Sequence, residues 1–348
     1  MKIALLTIWH EENYGAELQA YATIKLLREL NHDVHMIDIR LSDMAKTSVR
    51  GKVGHFLTFM GPAERKFRKF WRKNIPTIGR YKSLFELQKN PPDADVYMVG
   101  SDQVWNPEIT KDFLNVYFLD FGGDDKRRIS FASSFGTEHW KCGHTAEVAS
   151  LLNRFERISC REVSGNRILK EVFNIDSENV LDPTLLLDSY EDLIGNVPEK
   201  PTLAYYPLSD YPDLIAYSNQ LAGRLNLKAV NSNWKQYIYG KAVWNRNSVE
   251  DWMKSIAEAQ FVITPSFHGV SMCLIHHRQF AVIVNQRNRV TRIEGLLKQL
   301  GIEDRIFYSF DELDNAHPWE SKIDYTEVDL KLNRLRLSSL AFLRESLK

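Results

Sequence analysis

Four segments place polar, potentially reactive side chains next to glycine, where an apolar run gives way to a helix-length stretch. They are "HEENYGAE", "GSDQVWN", "REVSG" and "PSFHG". Backbone N–H groups at a helix N-terminus are unpaired and carry partial positive charge. Because glycine permits close backbone approach, each segment is a candidate binding site for an anionic substrate.

His268 is the candidate acid–base residue of this set. It lies between Ser266 and Gly269 in "SFHG", at a predicted turn from strand to helix. Side chains at such turns face the ligand crevice of an open parallel sheet, and imidazole is well suited to proton transfer near neutral pH. The helix N-terminus disfavours a proton on the ring, whereas a bound dianion favours one. A structural role is the alternative.

Arginines and carboxylates in the same kind of position could bind substrate. Arg161 ends a short predicted strand, and Arg289 and Arg292 follow the apolar run "FAVIV". A guanidinium group binds carboxylate or phosphate through two parallel hydrogen bonds, although a surface ion pair is the alternative for each arginine. Glu162 and Asp102 could act as a general base, bind sugar hydroxyls or cap a helix.

Alternating elements must position these residues. Apolar runs alternate with amphipathic, helix-length stretches along most of the chain, which is typical of parallel sheets covered by helices. No GxGxxG or Walker loop occurs. The polar segment 188–201 contains two prolines and predicts a boundary between two domains, 1–190 and 191–330. The amphipathic stretch 331–348 is predicted to be a helix that returns to the first domain.

Composition excludes several classes of function. The 45 Lys and Arg residues balance the 45 Asp and Glu residues, so nucleic acid is not an expected partner. Three cysteines without a CxxC pair argue against a disulfide framework and against a zinc ribbon, and we expect no metal. The chain has no signal-peptide pattern and no run of eighteen apolar residues, which predicts a cytoplasmic protein.

One basic stretch, "ERKFRKFWRK" at residues 64–73, surrounds Phe67, Phe70 and Trp71 with six Lys and Arg side chains. The favoured interpretation is a surface helix whose aromatic stripe packs on the domain. The alternative hypothesis is peripheral contact with the inner face of the cytoplasmic membrane, because basic residues beside aromatic residues suit anionic headgroups.

Five motifs in order, "NYGAELQAYA", "VGSDQVWNP", "SCREVSG", "LDPTLLL" and "SFHG", resemble the polysaccharide pyruvyl transferase family. The resemblance extends from about Ala4 to Arg305. It implies an α/β, GT-B-like fold, with two Rossmann-like domains whose parallel sheets face an interdomain cleft. It also implies transfer of the enolpyruvyl group of phosphoenolpyruvate to two hydroxyls of one sugar, giving a cyclic ketal and phosphate. The acceptor would be a polysaccharide or lipid-linked glycan precursor, and no cofactor is implied.

The resemblance also implies roles for individual residues. His268 matches the family's proposed general acid, and Arg161 matches a contact to the donor. The first domain would bind the acceptor and the second the donor. Many relatives have arginine two residues before the histidine, where this chain has Ser266, so Arg292 or Arg289 is expected to contact the donor instead. The remaining substrate-binding candidates are Asn13, Tyr14, Gly15, Ser101, Gln103, Trp105, Ser266 and Gly269.

Two other functions remain open from the sequence. A nucleotide-sugar glycosyltransferase could use the same double-Rossmann scaffold, because fold alone does not determine function. A non-catalytic sugar-binding member of a polysaccharide assembly complex is also compatible with serine at position 266.

Overall fold

The computed structural model describes residues 1–10, 12–41, 62–141, 143–208, 211–233, 237–238, 241–242, 246–284 and 291–348. The chain forms two compact units. The first unit comprises Met1–Met60, Phe67–Leu187 and Leu335–Lys348, and the second comprises Gly61–Lys66 and Asp188–Arg334. The sequence predicts divisions after residues 190 and 330.

A five-stranded parallel sheet with the order β3-β2-β1-β4-β5 forms the centre of the first unit. Its strands are β1 Lys2–Leu6, β2 Asp33–Ile39, β3 Thr77–Tyr81, β4 Val96–Val99 and β5 Arg127–Ser130. Val99 pairs with both Leu6 and Ser130, so strands β1, β4 and β5 end at the same edge of the sheet. The short parallel pair β6 Ser159–Cys160 and β7 Glu178–Asn179 continues this edge through a bridge from Ser133 to Cys160.

Helices follow the strands as the alternating sequence pattern predicts. Those between residues 14 and 173 are α1 Tyr14–Glu29, α2 Pro62–Asn74, α3 Leu84–Lys89, α4 Pro107–Thr110, α5 Leu114–Tyr117, α6 Thr145–Leu152 and α7 Val163–Phe173. Single 3₁₀ turns occupy Lys111–Phe113 and Pro183–Leu185. All of β4, and β1 after Lys2, is buried, which explains why these strands read as continuous apolar runs.

The second unit has its own five-stranded parallel sheet, with the order β14-β13-β12-β8-β9. Its strands are β8 Lys200–Tyr205, β9 Lys228–Asn231, β12 Ala259–Ile263, β13 Gln279–Ile283 and β14 Ile306–Phe307, and β10 Tyr237–Ile238 pairs antiparallel with β11 Lys241–Ala242. The helices after residue 190 are α8 Glu191–Ile194, α9 Pro212–Arg224, α10 Val249–Ala257, α11 Phe267–Ile275, α12 Thr291–Leu300, α13 Phe310–Ala316 and α14 Tyr325–Ser346, with a 3₁₀ turn at Glu303–Arg305.

The aromatic stripe of the basic helix α2 is buried. Phe67, Phe70 and Trp71 are at most 4% exposed, and Phe67 packs against Tyr14 with ring centroids 5.3 Å apart. Packing of the stripe in the core, the favoured interpretation from sequence, is therefore confirmed. Among the described helices, none is both long enough and apolar enough to cross a bilayer.

Residues 335–348 pack with the first unit through specific backbone contacts. The Leu181 N–H donates to Ser339 Oγ at 2.9 Å, and Arg336 Nε donates to the Leu185 carbonyl at 2.6 Å. Arg127 also donates to the Ser346 carbonyl at 3.1 Å. These contacts tie the end of helix α14 to the segment that contains the 3₁₀ turn Pro183–Leu185 and to strand β5.

Candidate active-site residues

The segment "GSDQVWN" begins directly after strand β4 and contributes Ser101 and Asp102. Ser101 is fully buried, whereas the Asp102 side chain is 14% exposed. Asp102 has φ of +73°, in the left-handed region, and forms a parallel bridge with Ser133. Aspartate tolerates this conformation better than a β-branched or bulky residue does.

Arg161 lies at the centre of a buried network with Ser101, Asp102 and Asp182, called here the Arg161 network. Its side chain is 1% exposed. Nη1 donates to Asp182 Oδ2 at 2.6 Å and to Ser101 Oγ at 3.2 Å, and Nη2 donates to Asp102 Oδ1 at 3.0 Å. Burial opposes the charge of Arg161, but Asp182, Asp102 and Glu162 raise its pKa above the ordinary value.

Asp182 connects this network to the 3₁₀ turn Pro183–Leu185. Its Oδ2 also accepts from Ser101 Oγ at 2.8 Å, and its Oδ1 accepts from the backbone N–H of Thr184 at 3.0 Å and from Thr184 Oγ1 at 2.6 Å. The Asp182 side chain is fully buried. The network therefore holds three sequence motifs, "GSDQVWN", "REVSG" and "LDPTLLL", in one fixed arrangement within the first unit.

The prediction that Arg161 contacts the donor directly does not fit this geometry. A guanidinium that is 1% exposed and bonded to two carboxylates has no accessible donor for a substrate anion in this arrangement. Arg161 instead positions Asp102, whose carboxylate is the most exposed of the three that Arg161 contacts.

Glu162 orders a neighbouring loop. Its Oε1 accepts from the backbone N–H of Phe135 at 2.9 Å and of Gly136 at 3.3 Å. Its Oε2 lies 3.9 Å from Arg161 Nε and has no hydrogen-bond partner among the described residues. The whole residue is 7% exposed. Of the two predicted catalytic carboxylates, Asp102 is thus the more accessible one.

Two of the substrate-binding candidates from the sequence, both aromatic, are core residues in the structure. Trp105 is fully buried, stacks on Phe118 at a centroid distance of 5.3 Å, and donates its indole N–H to the Tyr117 carbonyl at 3.0 Å. Tyr14 is 1% exposed and packs on Phe67. Neither ring presents a face to a sugar, because both side chains are buried in the first unit.

The other predicted residues of the first unit differ in accessibility. Asn13 is exposed and caps helix α1, because its Oδ1 accepts from the N–H groups of Gly15 at 3.0 Å and of Ala16 at 3.4 Å. Gly15 itself is buried. Gln103 is partly buried, and its Oε1 accepts from Asn106 Nδ2 at 2.8 Å. Asn13 and Gln103 therefore remain accessible candidates for substrate binding.

His268 lies in the first turn of helix α11, directly after strand β12, as the sequence predicts. The helix is capped by Ser266, whose Oγ accepts from the Gly269 N–H at 3.3 Å. His268 is partly buried, and its ring meets Phe267 edge-on at a centroid distance of 5.4 Å. Ser266 is 4% exposed. The cap therefore fixes the turn from which the imidazole projects.

Gly269 is required by packing at this turn. A Cβ at this position would lie 2.7 Å from Thr264 Oγ1 and 3.0 Å from Thr264 Cγ2. The Thr264 hydroxyl in turn accepts from the Ser266 N–H at 3.1 Å. Glycine thus lets the start of the helix approach the end of the strand, and this close approach sets the position of His268.

Arg292 is partly buried and is the second residue of helix α12. Arg289 lies outside the described residues. His268 and Arg292 belong to the second unit, and the Arg161 network belongs to the first. Within the part of the chain that is described, no three His, Cys, Asp or Glu side chains are grouped as metal ligands would be.

The family model for polysaccharide pyruvyl transferase matches residues 13–287, a span that contains the Arg161 network and the turn of His268. The chain belongs to this family. No curated protein matches the sequence significantly.

Solved structures show what this polysaccharide pyruvyl transferase family member resembles in fold. An alpha-glucosyltransferase (AGT) in complex with UDP is 9% identical, with a TM-score of 0.51 over 99% of this chain and 95% of that one. The spinosyn forosaminyltransferase SpnP is 11% identical, with a TM-score of 0.50 over 96% and 94%. The UDP-GlcNAc 2-epimerase of Methanocaldococcus jannaschii is 10% identical, with a TM-score of 0.50 over 93% of each chain. The predicted α/β, GT-B-like fold with two Rossmann-like units is confirmed.

Proposed function

We propose that the chain transfers the enolpyruvyl group of phosphoenolpyruvate to two hydroxyls of one sugar in a polysaccharide or cell-envelope glycan precursor. The products are a cyclic pyruvate ketal and phosphate. The family match over residues 13–287 carries this proposal, because it includes His268 and the Arg161 network in a single span. The reaction is assigned to the cytoplasm, the compartment predicted from the sequence.

The proposed reaction needs one acid and one base. His268 donates a proton to the methylene carbon of the donor, which leaves positive charge on the neighbouring carbon. One sugar hydroxyl attacks that carbon and loses its proton, and the bond to phosphate breaks. The second hydroxyl then attacks the same carbon and loses its proton, which closes the ring. Of the two protons released, one replaces that given by His268 and one leaves on phosphate.

The residues take distinct roles in this proposal. Asp102 accepts the proton of a sugar hydroxyl, because its carboxylate is more exposed than those of Asp182 and Glu162. Arg161 orients that carboxylate through the 3.0 Å bond from Nη2. Arg292 contacts an anionic group of the donor. The second unit binds the donor, and the first binds the acceptor.

Replacement of His268 tests the acid role. We expect His268→Ala to lower the rate of phosphate release from phosphoenolpyruvate, assayed with lipid-linked or nitrophenyl glycosides, by roughly a hundredfold or more. His144→Ala is the matched control, because the His144 side chain is 68% exposed and pairs with Glu147. Circular dichroism should be unchanged in both variants. Wild-type turnover in His268→Ala would show that another group supplies the proton.

Ligand protection separates this function from the alternatives. Phosphoenolpyruvate should raise the thermal unfolding temperature of the wild-type protein by mass action. Protection by a nucleotide sugar but not by phosphoenolpyruvate would favour a glycosyltransferase. Binding of sugar without phosphate release would favour the non-catalytic alternative.

A further inference from the structure

Only one oxygen of the Asp102 carboxylate is engaged by hydrogen bonds among the described residues. Oδ1 accepts from Arg161 Nη2 at 3.0 Å and from the backbone N–H of Gln103 at 2.9 Å. Oδ2 accepts from no described group, and it is not one of the buried atoms that lack a partner. Since the Asp102 side chain is 14% exposed, Oδ2 is the oxygen that a substrate hydroxyl can reach.

A chain of hydrogen bonds fixes the orientation of the Gln103 side-chain amide. The backbone N–H of Glu108 donates to Asn106 Oδ1 at 3.0 Å, and Asn106 Nδ2 donates to Gln103 Oε1 at 2.8 Å. A backbone N–H can only donate, so the atom it meets is Oδ1, and Asn106 Nδ2 must then face Gln103. Asn106 is 5% exposed, which holds this arrangement in place. The Gln103 amide therefore turns its oxygen toward Asn106 and its nitrogen away from it.

Gly136 packs directly against the same amide. It has φ of +65°, and a Cβ at this position would lie 2.0 Å from Gln103 Oε1. The Gly136 N–H donates to Ser134 Oγ at 3.1 Å and to Glu162 Oε1 at 3.3 Å, which fixes the loop. Glycine is therefore needed here both for the left-handed conformation and for the space that the amide occupies.

Gln103 Nε2 is a hydrogen-bond donor that meets no acceptor in the part of the chain that the structure describes. It is also accessible, because the buried side-chain atoms that lack a partner do not include it. Asp102 Oδ2, on the preceding residue, is an accessible acceptor. The Cα atoms of consecutive residues are about 3.8 Å apart, so one small ligand can contact both groups. Such a ligand must offer a donor and an acceptor side by side, as two hydroxyls of one sugar do.

We propose that Gln103 determines acceptor specificity by donating from Nε2 to one sugar hydroxyl, while Asp102 Oδ2 accepts from a second hydroxyl of the same sugar. The inference rests on the proposed function, in which the first unit binds the acceptor and both hydroxyls react. The hydroxyl that attacks first gives its proton to Asp102, and Gln103 keeps the other hydroxyl within reach. A sugar that lacks this hydroxyl is discriminated against, because the amide then loses its partner.

Binding of uncharged glycosides, measured by isothermal titration calorimetry without phosphoenolpyruvate, tests the site without turnover. The panel consists of the 4-nitrophenyl glucoside, galactoside and mannoside. We expect saturable binding of at least one glycoside to the wild-type chain, and affinity about five- to tenfold weaker in Gln103→Leu, the scale of one lost hydrogen bond. Gln88→Leu is the matched control, because Gln88 is exposed in the same unit and donates to the Asp120 carbonyl. Absence of binding, or equal weakening by Gln88→Leu, would overturn the proposal.

Asn106→Asp tests the orientation of the amide with the Gln103 side chain still present. A carboxylate at position 106 cannot donate, so Gln103 Nε2 should turn toward it and present Oε1 to the ligand instead. We expect the glycoside affinity to fall as far as in Gln103→Leu, and to fall no further when both substitutions are combined. Additive losses would show that Asn106 does not act through Gln103, and would overturn the orientation that the proposal requires.

Monodeoxy analogues of the bound glycoside identify the hydroxyl that Gln103 contacts. The wild-type chain should bind one analogue about five- to tenfold more weakly than the parent, whereas Gln103→Leu should bind that analogue and the parent equally. Equal discrimination by both chains against every analogue would overturn the contact. The KM for phosphoenolpyruvate should be unchanged in Gln103→Leu, and a raised value would move the residue to the donor site. Glycoside binding with this pattern but without phosphate release would support the site and refute the proposed chemistry.

Discussion

Asp182→Asn should destabilise the first unit by about 3–5 kcal/mol, the usual cost of removing one partner of a buried ion pair. The Asp182 carboxylate is fully buried and receives four hydrogen bonds between 2.6 and 3.0 Å, from Arg161, Ser101 and twice from Thr184. An amide has one acceptor oxygen. In either orientation of the asparagine side chain, its nitrogen would therefore face two of these donors, either those of Arg161 and Ser101 or the two of Thr184. Arg161 would then remain buried with Asp102 as its closest carboxylate.

Urea unfolding followed by tryptophan fluorescence measures this cost, and amide hydrogen exchange at residues 101–105 and 182–185 locates it. Asp176→Asn is the matched control, because Asp176 is 90% exposed and pairs with Lys170 at 2.7 Å. We expect the control to change stability by no more than about 0.5 kcal/mol. A loss below about 1 kcal/mol in Asp182→Asn would refute the view that the Arg161 network is a desolvated ion-pair cluster.

Two further predictions concern the second unit. Burial, with the charges of Arg278 and His277, lowers the pKa of His276 in the folded chain to about 4. Between this value and the ordinary histidine pKa of about 6.5, the imidazole is protonated in the unfolded chain but not in the folded chain. The free energy of unfolding should therefore fall by about 2 kcal/mol from pH 7 to pH 5, as measured by urea unfolding at each pH. If His276→Gln lost the same amount over this range, the decrease would not be due to His276. Gly269→Ala should cost about 1–3 kcal/mol through its contact with Thr264 and should lower turnover by displacing His268. In the Gly269→Ala background, Thr264→Ala should restore part of the lost stability and part of the lost turnover. If Gly269→Ala left the thermal unfolding temperature unchanged, the contact with Thr264 would not be the constraint at this position.

The placement of His268 could be predicted because it depends on local pattern. An apolar run, a serine cap and a helix-length stretch define a strand-to-helix turn within a dozen residues, and the structure has that turn. The parallel sheets follow from the same alternation of apolar and amphipathic stretches. Each of these features is determined by neighbours in the chain.

The partners of Arg161 could not be predicted in the same way. Asp182 and Ser101 are 81 residues apart, and only the folded sheet edge brings both to the guanidinium. Its position in the sequence suggested that Arg161 would be accessible to substrate. In the structure its side chain is buried and holds the carboxylate of Asp102 in place. The burial of Trp105 and Tyr14 could not be predicted for the same reason, since an aromatic residue at the end of a strand or the start of a helix can face inward or outward without any change in local pattern.

A cavity of the first unit that Asp38, Arg40 and Arg72 help to line shows a third limit of prediction from the sequence. Arg40 follows strand β2, but sequence alone did not indicate that the second half of helix α2 would bring Arg68 and Arg72 to it. The buried stripe of that helix was the available signal. A helix that buries Phe67 and Trp71 must direct some of its intervening basic residues to the margin of the same contact.

The first unit is discontinuous along the chain, because Leu335–Lys348 joins it after the whole of the second unit. During translation, the partners of Leu181 and Leu185 in helix α14 leave the ribosome only after the whole of the second unit. The first unit is therefore incomplete while the second unit is being synthesised. The strands of its sheet can pair early, but the first unit is completed only when helix α14 has been synthesised.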